Sequence, residues 1–146
     1  MGKQIKIAVD LDDTLAEYDG WGGLNHIGDP QNGAKQFMEQ LREAGHYLII
    51  YTTRTNASVN RPEDEDALGL NNTIDRLTAP IAAWMEQHQI PYDEIYADEG
   101  KPLANAFVDD RVVQHQQELG FGITLTRLEK LLQVKEGVEP VGTPTE

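Results

Sequence analysis

The residues best suited to chemistry open with the run Asp10-Leu11-Asp12-Asp13-Thr14, which directly follows an apolar segment. Carboxylates two positions apart in extended chain project to one side, so Asp10 and Asp12 can face the same pocket. Two acids in one pocket can divide labour. Asp10 can attack phosphorus while a divalent cation tolerates its charge, and Asp12 can carry the proton that the leaving oxygen takes. Hydrolysis of the resulting acyl phosphate needs a base, and Asp12, now ionised, can draw a proton from water. Asparagine at position 12 would allow phosphorylation but poor turnover.

A D-x-D-x-T string arises by chance in roughly a few per cent of chains, so this reading depends on parts supplied elsewhere. Thr52 follows LIIY, Lys101 precedes PLANAFV, and Asp109-Asp110 follow AFV. Phosphoryl transfer requires donors for the equatorial oxygens, a balancing positive charge and oxygen ligands for a hard metal. Thr52, with Thr53 beside it, can donate to phosphoryl oxygens, and Lys101 can supply charge. Asp109 and Asp110 can complete an all-oxygen magnesium site with Asp10.

These residues need a frame that gathers them. Ile5–Val9 and His46–Tyr51 are apolar, β-branched runs that end in polar residues, as buried parallel strands entering functional loops do. Leu15–Gly28, rich in glycine and aromatics, reads as a flap over the first strand end. Asp29-Pro30 predicts a helix start, with Phe37, Met38 and Leu41 on one face and Gly45 past the end. Thr73–Gln89 carries Ile74, Leu77, Ile81, Trp84, Met85 and His88 at helical spacing, with Pro80 as a kink or late start. Asp93–Ala97 and Ala104–Val108 are short strand candidates. Val112–Leu119 and Leu125–Val134 are expected helices, and 56–72 is expected to be a long loop. The alternation predicts an α/β fold: a doubly wound, Rossmann-like, mostly parallel sheet with helices on both faces. One domain is expected over 1–134, with a flexible tail over 135–146.

The order apolar strand plus DLDDT, then LIIYT, then KP, then FVDDR resembles the four motifs of the haloacid dehalogenase superfamily of phosphatases, over residues 5 to about 120. The resemblance implies Asp10 as nucleophile and metal ligand. It implies Asp12 as acid/base, lending its backbone carbonyl to the metal, and Thr52 and Lys101 as phosphate binders. It favours Asp110 as the direct metal ligand and Asp109 as its support. The segments between the motifs are too short for the folded cap that members usually carry, so the chain is similar to the small capless phosphatases. These include a polynucleotide 3′-phosphatase type that also ends its fourth motif in DDR. Without a cap, water exclusion falls to the flap, the 56–72 loop, a partner subunit or the substrate.

The expected function is therefore a Mg2+-dependent phosphomonoesterase acting on a small phosphorylated molecule. The alternatives are a nucleotide or polynucleotide 3′- or 5′-phosphatase, and a non-catalytic, receiver-like phosphate-responsive module. A receiver has no need of a second acid beside its phosphoacceptor, so Asp12 separates the two classes. The formal charge of −13 with no Lys/Arg cluster disfavours extended nucleic-acid binding. Zero cysteines exclude disulfides and zinc-thiolate sites. With no apolar stretch of membrane-spanning length, a cytoplasmic protein without membrane attachment is expected. Arg54 and Arg111 flank motif residues and can hold a second anionic group or pair within the domain. Tyr18, Trp21 and His26 can contact a base or sugar, or simply pin the flap. His46, His88 and His115 read as structural or exposed, and the acidic run Glu63–Asp66 as solvated.

Overall fold

The computed structural model of the protein describes residues 4–56 and 73–137. The expected 56–72 loop beyond Asn56, with its acidic run, lies outside these residues, as does the tail from 138 onward.

Strand β1 (Lys6–Asp10) lies at the middle of a sheet whose four strands are all parallel. Its Ile7, Ala8 and Val9 are buried, which explains why the strand reads as an unbroken apolar run. Helix α1 (Ala34–Glu43) leads to β2 (Tyr47–Tyr51), and helix α2 (Thr73–Gln87) precedes the short β3 (Glu94–Ile95). Strand β4 (Ala106–Val108) then returns to the other side of β1, giving the order β3-β2-β1-β4. This reversal is the doubly wound topology, and ligands gather in the crevice at the carboxyl ends of the strands where it occurs. The register sets Val9 between Ile50 and Val108 and places Asp10 beside Tyr51. Hence the DLDDT run, the TTRT run and Asp109-Asp110 all leave the same end of the sheet.

Ile7 and Val9 of β1 and Leu48 and Ile50 of β2 form one core with Ala34 and Met38 of α1 and Ile81, Trp84 and Met85 of α2. Truncating one of these, such as Leu48→Ala, costs about 2–5 kcal/mol because the close-packed surroundings relax only in part. The expected helix faces need two corrections. On α1 the buried line is Ala34 and Met38 with Leu41 behind, whereas Phe37 is exposed to one side. On α2, Ile74 is exposed because its turn extends past the core, and Pro80 lies within the helix.

Helix α1 also starts later than Asp29-Pro30 predicts. Pro30 bridges antiparallel to Ala16, and the Gln31 N–H donates to the Leu15 carbonyl at 2.8 Å, so 29–31 is spent closing the base of the flap. Gly33, at φ 84, then turns the chain into the helix.

By contacts the chain divides into two compact units, Met1–Asp110 and Arg111–Glu146. The second holds helix α3 (Gly120–Glu136), none of whose residues is buried. The expected helix over Val112–Leu119 does not form. The Arg127 guanidinium donates to the Gln114 carbonyl at 2.9 Å and to Gln116 Oε1 at 3.0 Å, so acceptors in that segment are satisfied from α3 instead of within a helix. Gly120, at φ 76, begins α3 directly after that span, five residues before the expected start at Leu125. Among the described residues, no helix is long and apolar enough to cross a membrane.

Candidate active site

The turn after β1 is built on one acceptor. The Leu11 carbonyl receives the N–H groups of Thr14, Leu15 and Ala16 at 3.3, 3.0 and 2.9 Å, while the Asp13 N–H donates to the Ala16 carbonyl at 2.8 Å. Asp13 takes φ 63, a left-handed conformation that Asp tolerates better than most side chains. Folding back in this way brings the Thr14 hydroxyl to Asp10 Oδ2 at 3.3 Å and to Asp110 Oδ1 at 3.4 Å. Thr14 thus spans the ends of β1 and β4.

Asp10 is buried, and Asp10, Asp109 and Asp110 each present an oxygen within 4.8 Å of the other two. At an effective dielectric of about 20, two such charges repel by roughly 3–4 kcal/mol. A cation among them would reverse that penalty. The donor set is entirely carboxylate oxygen, which suits a hard divalent ion such as magnesium and not zinc or copper.

Tyr51 was not singled out from the sequence. Its hydroxyl donates a short hydrogen bond to Asp109 Oδ2. Burial first, then this hydrogen bond and the charges of Asp109, Asp10 and Asp110, push the hydroxyl well above the usual tyrosine range. Tyr51 is therefore a fixed donor that orients Asp109. Its signal was present in the pairing of its strand end with Asp10, but in LIIY it reads as one more apolar strand residue.

Asp12 does not join the carboxylate cluster. Arg54, 2 % exposed, donates from Nε to Asp12 Oδ2 at 2.7 Å and from Nη2 to Oδ1 at 2.9 Å. Its Nη1 donates to the flap carbonyls of Gly23 and Leu24 at 3.3 and 3.4 Å, and its guanidinium lies 4.9 Å from the centre of the Trp21 ring. Of the two readings open for Arg54, a second anionic group or a pair within the domain, the structure shows the pair, with Asp12, together with contacts to the flap. Removing Asp12, the half-buried partner, strands a buried guanidinium, at a cost of about 3–5 kcal/mol.

The remaining expected residues are placed as follows. Thr52 caps a single 3-10 turn, Thr53–Thr55, its Oγ1 accepting from the Arg54 N–H at 3.2 Å, and Thr53 is exposed. Lys101 is exposed with Nζ 4.4 Å above the Phe107 ring, which in turn meets Tyr51 edge-on at 5.6 Å. Tyr18 and Trp21 are exposed on the flap. Arg111 is exposed and opens the second unit. At the flap base, the Trp84 indole N–H donates to the Gly28 carbonyl at 2.9 Å. A cavity of about 250 Å³ adjoins Thr14, lined by Leu15, Gln31, Asn32, Phe37 and Val108 among others.

A scan against protein-family models found no match, and a search of curated proteins found none either. Among solved structures the chain is similar to a conserved protein from Bacteroides thetaiotaomicron at 20% identity and TM-score 0.49, over 97% of this chain and 100% of that one. It is also similar to a crystallised protein from Vibrio cholerae at 20% identity and TM-score 0.45, over 86% of this chain and 97% of that one.

Proposed function

We propose that the protein is a magnesium-dependent phosphohydrolase of the haloacid dehalogenase type, with Asp10 as nucleophile and Asp12 as general acid and base. The observation that carries this reading is the meeting of Asp10, Asp109 and Asp110 within 4.8 Å at the ends of β1 and β4, with Thr14 hydrogen-bonded to two of them. Asp12 follows Asp10 at the two-residue spacing expected of a leaving-group acid, and its carboxylate, paired with Arg54 in this structure, must leave that pair to act. A receiver-like module would have no use for such an acid.

Asp10, Asp110 and Asp109 would hold magnesium, with Asp109 braced by Tyr51. When bound, the ion supplies positive charge that offsets the nucleophile and the phosphoryl group. An Asp10 oxygen attacks phosphorus, forming the Asp10 acyl phosphate as the bond to the leaving oxygen breaks, and Asp12 gives that oxygen its proton. Water then attacks the same phosphorus as Asp12 takes its proton. The bond between the Asp10 oxygen and phosphorus breaks, inorganic phosphate departs and Asp10 is a carboxylate again. Thr52 and Lys101 bind the phosphoryl oxygens.

A small phosphomonoester is the substrate class best matched to the chain, because its charge of −13 would repel a long polyanion. The test is phosphate release from nucleotides, sugar phosphates and a 3′-phosphorylated oligonucleotide, with magnesium, calcium or chelator. Release with magnesium and neither with chelator nor with calcium is expected, since the looser coordination of calcium misplaces the nucleophile. Equal rates with the two ions, or release that chelator leaves intact, would count against the reading.

A further inference from the structure

Arg54 is the one side chain that touches both Asp12 and the tip of the flap among the described hydrogen bonds. Its own backbone is fixed. The Arg54 N–H donates to Thr52 Oγ1, and the neighbouring Thr55 hydroxyl bonds to the carbonyls of Thr52 and Tyr96 at 3.0 and 2.7 Å. The guanidinium is planar and rigid, so it cannot follow one set of partners while keeping the other. The flap tip, in contrast, has the means to swing. Gly20 and Gly23 stand at φ 124 and φ 100 with open space where a Cβ would be, and they bracket Trp21, whose ring covers the guanidinium. The base of the flap stays pinned by the Glu17 N–H to the Asp29 carbonyl at 2.8 Å and by Trp84 to Gly28.

We propose that Arg54 is a positioning residue that latches the flap tip to Asp12, so that lifting of the tip and release of the Asp12 carboxylate are one event. In the latched state both Asp12 oxygens are withheld from the pocket. When Asp12 turns into the pocket to reach the leaving oxygen of a bound phosphoester, Arg54 keeps only weak carbonyl contacts, and the tip lifts. Conversely, a tip held down keeps Asp12 turned aside. The catalytic consequence rests on the assignment of Asp12 as acid and base, whereas the mechanical linkage stands without it.

The linkage is tested on the full chain without ligand by the rate of chymotryptic cleavage after Tyr18 and Trp21, together with tryptophan emission. Asp12→Asn presents an amide N–H to one of the two Arg54 donors, and Arg54→Lys replaces the fork with a single point. Each is expected to speed flap cleavage severalfold and shift emission to the red, and the double variant is expected to cleave no faster than the faster single. Native cleavage rates in Asp12→Asn, the gentler change, would overturn the latch even if Arg54 variants failed to fold. Where magnesium-dependent release is measurable, the loosened latch of Arg54→Lys is expected to lower KM severalfold without lowering kcat, because less of the binding energy of the phosphoester is spent in freeing Asp12. A raised KM at native kcat would make Arg54 a substrate contact and overturn the proposal. Absence of any phosphatase activity would remove the catalytic reading and leave the cleavage rates to decide the latch.

Discussion

The Tyr51 hydroxyl, at the end of β2, donates to Asp109 Oδ2, just past the end of β4, across the intervening β1. It ties together the ends of the two strands that flank β1 and fixes one carboxylate of the proposed metal site. Tyr51→Phe removes that hydrogen bond from Asp109. Partners of this kind are worth about 10–100-fold in metal affinity, so Tyr51→Phe is expected to raise the magnesium concentration for half-maximal phosphate release by about that factor. An unchanged magnesium titration would mean that Asp109 needs no bracing.

The same hydroxyl carries a pH signature. Burial and its acidic neighbours raise its pKa in the folded protein, so the folded chain holds this proton more tightly than the unfolded chain. Stability from this source is fully present below the unfolded value of about 10 and is lost as the pH rises above it. In chelator, the urea midpoint of the native protein is expected to fall more steeply than that of Tyr51→Phe above pH 10. Parallel curves would contradict the assignment.

Gly28 is fixed by close approach. A Cβ there would stand 2.1 Å from the Glu17 carbonyl oxygen, which is backbone and cannot turn away. Gly28→Ala must therefore open the base of the flap and disturb the Trp84 hydrogen bond. A loss of about 2 kcal/mol or more is expected in urea unfolding, together with faster flap cleavage. A midpoint equal to that of the native protein would show that the flap base is not closely packed.

What the sequence revealed and what it hid divide along physical lines. Ile7–Val9 and Leu48–Ile50 were legible because a parallel strand buried on both faces leaves an uninterrupted apolar run. Asp10, Asp109 and Asp110 were expected to meet because they follow the carboxyl ends of parallel strands in a doubly wound order, and their oxygens lie within 4.8 Å of one another. The engagement of Asp12 by Arg54 was hidden. Forty-two residues separate the two in the chain, and an ion pair between two loops leaves no periodicity to read. Phe37 and Ile74 were misplaced because helical spacing gives a face but not where the core beneath it ends. The helix expected over Val112–Leu119 does not form, and the Gln114 carbonyl accepts from the Arg127 guanidinium, thirteen positions along the chain, a pairing that no local pattern records.

The central claim, that phosphate passes through Asp10, is tested most directly by acid-quenching the protein during turnover of a labelled phosphoester and counting the label that stays on the chain. Native protein and Asp12→Asn are expected to retain acid-trapped phosphate, Asp12→Asn for longer because loss of the base slows hydrolysis of the acyl phosphate, while Asp10→Asn retains none and releases none. Undiminished phosphate release by Asp10→Asn, or label trapped on it as on the native chain, would contradict the account.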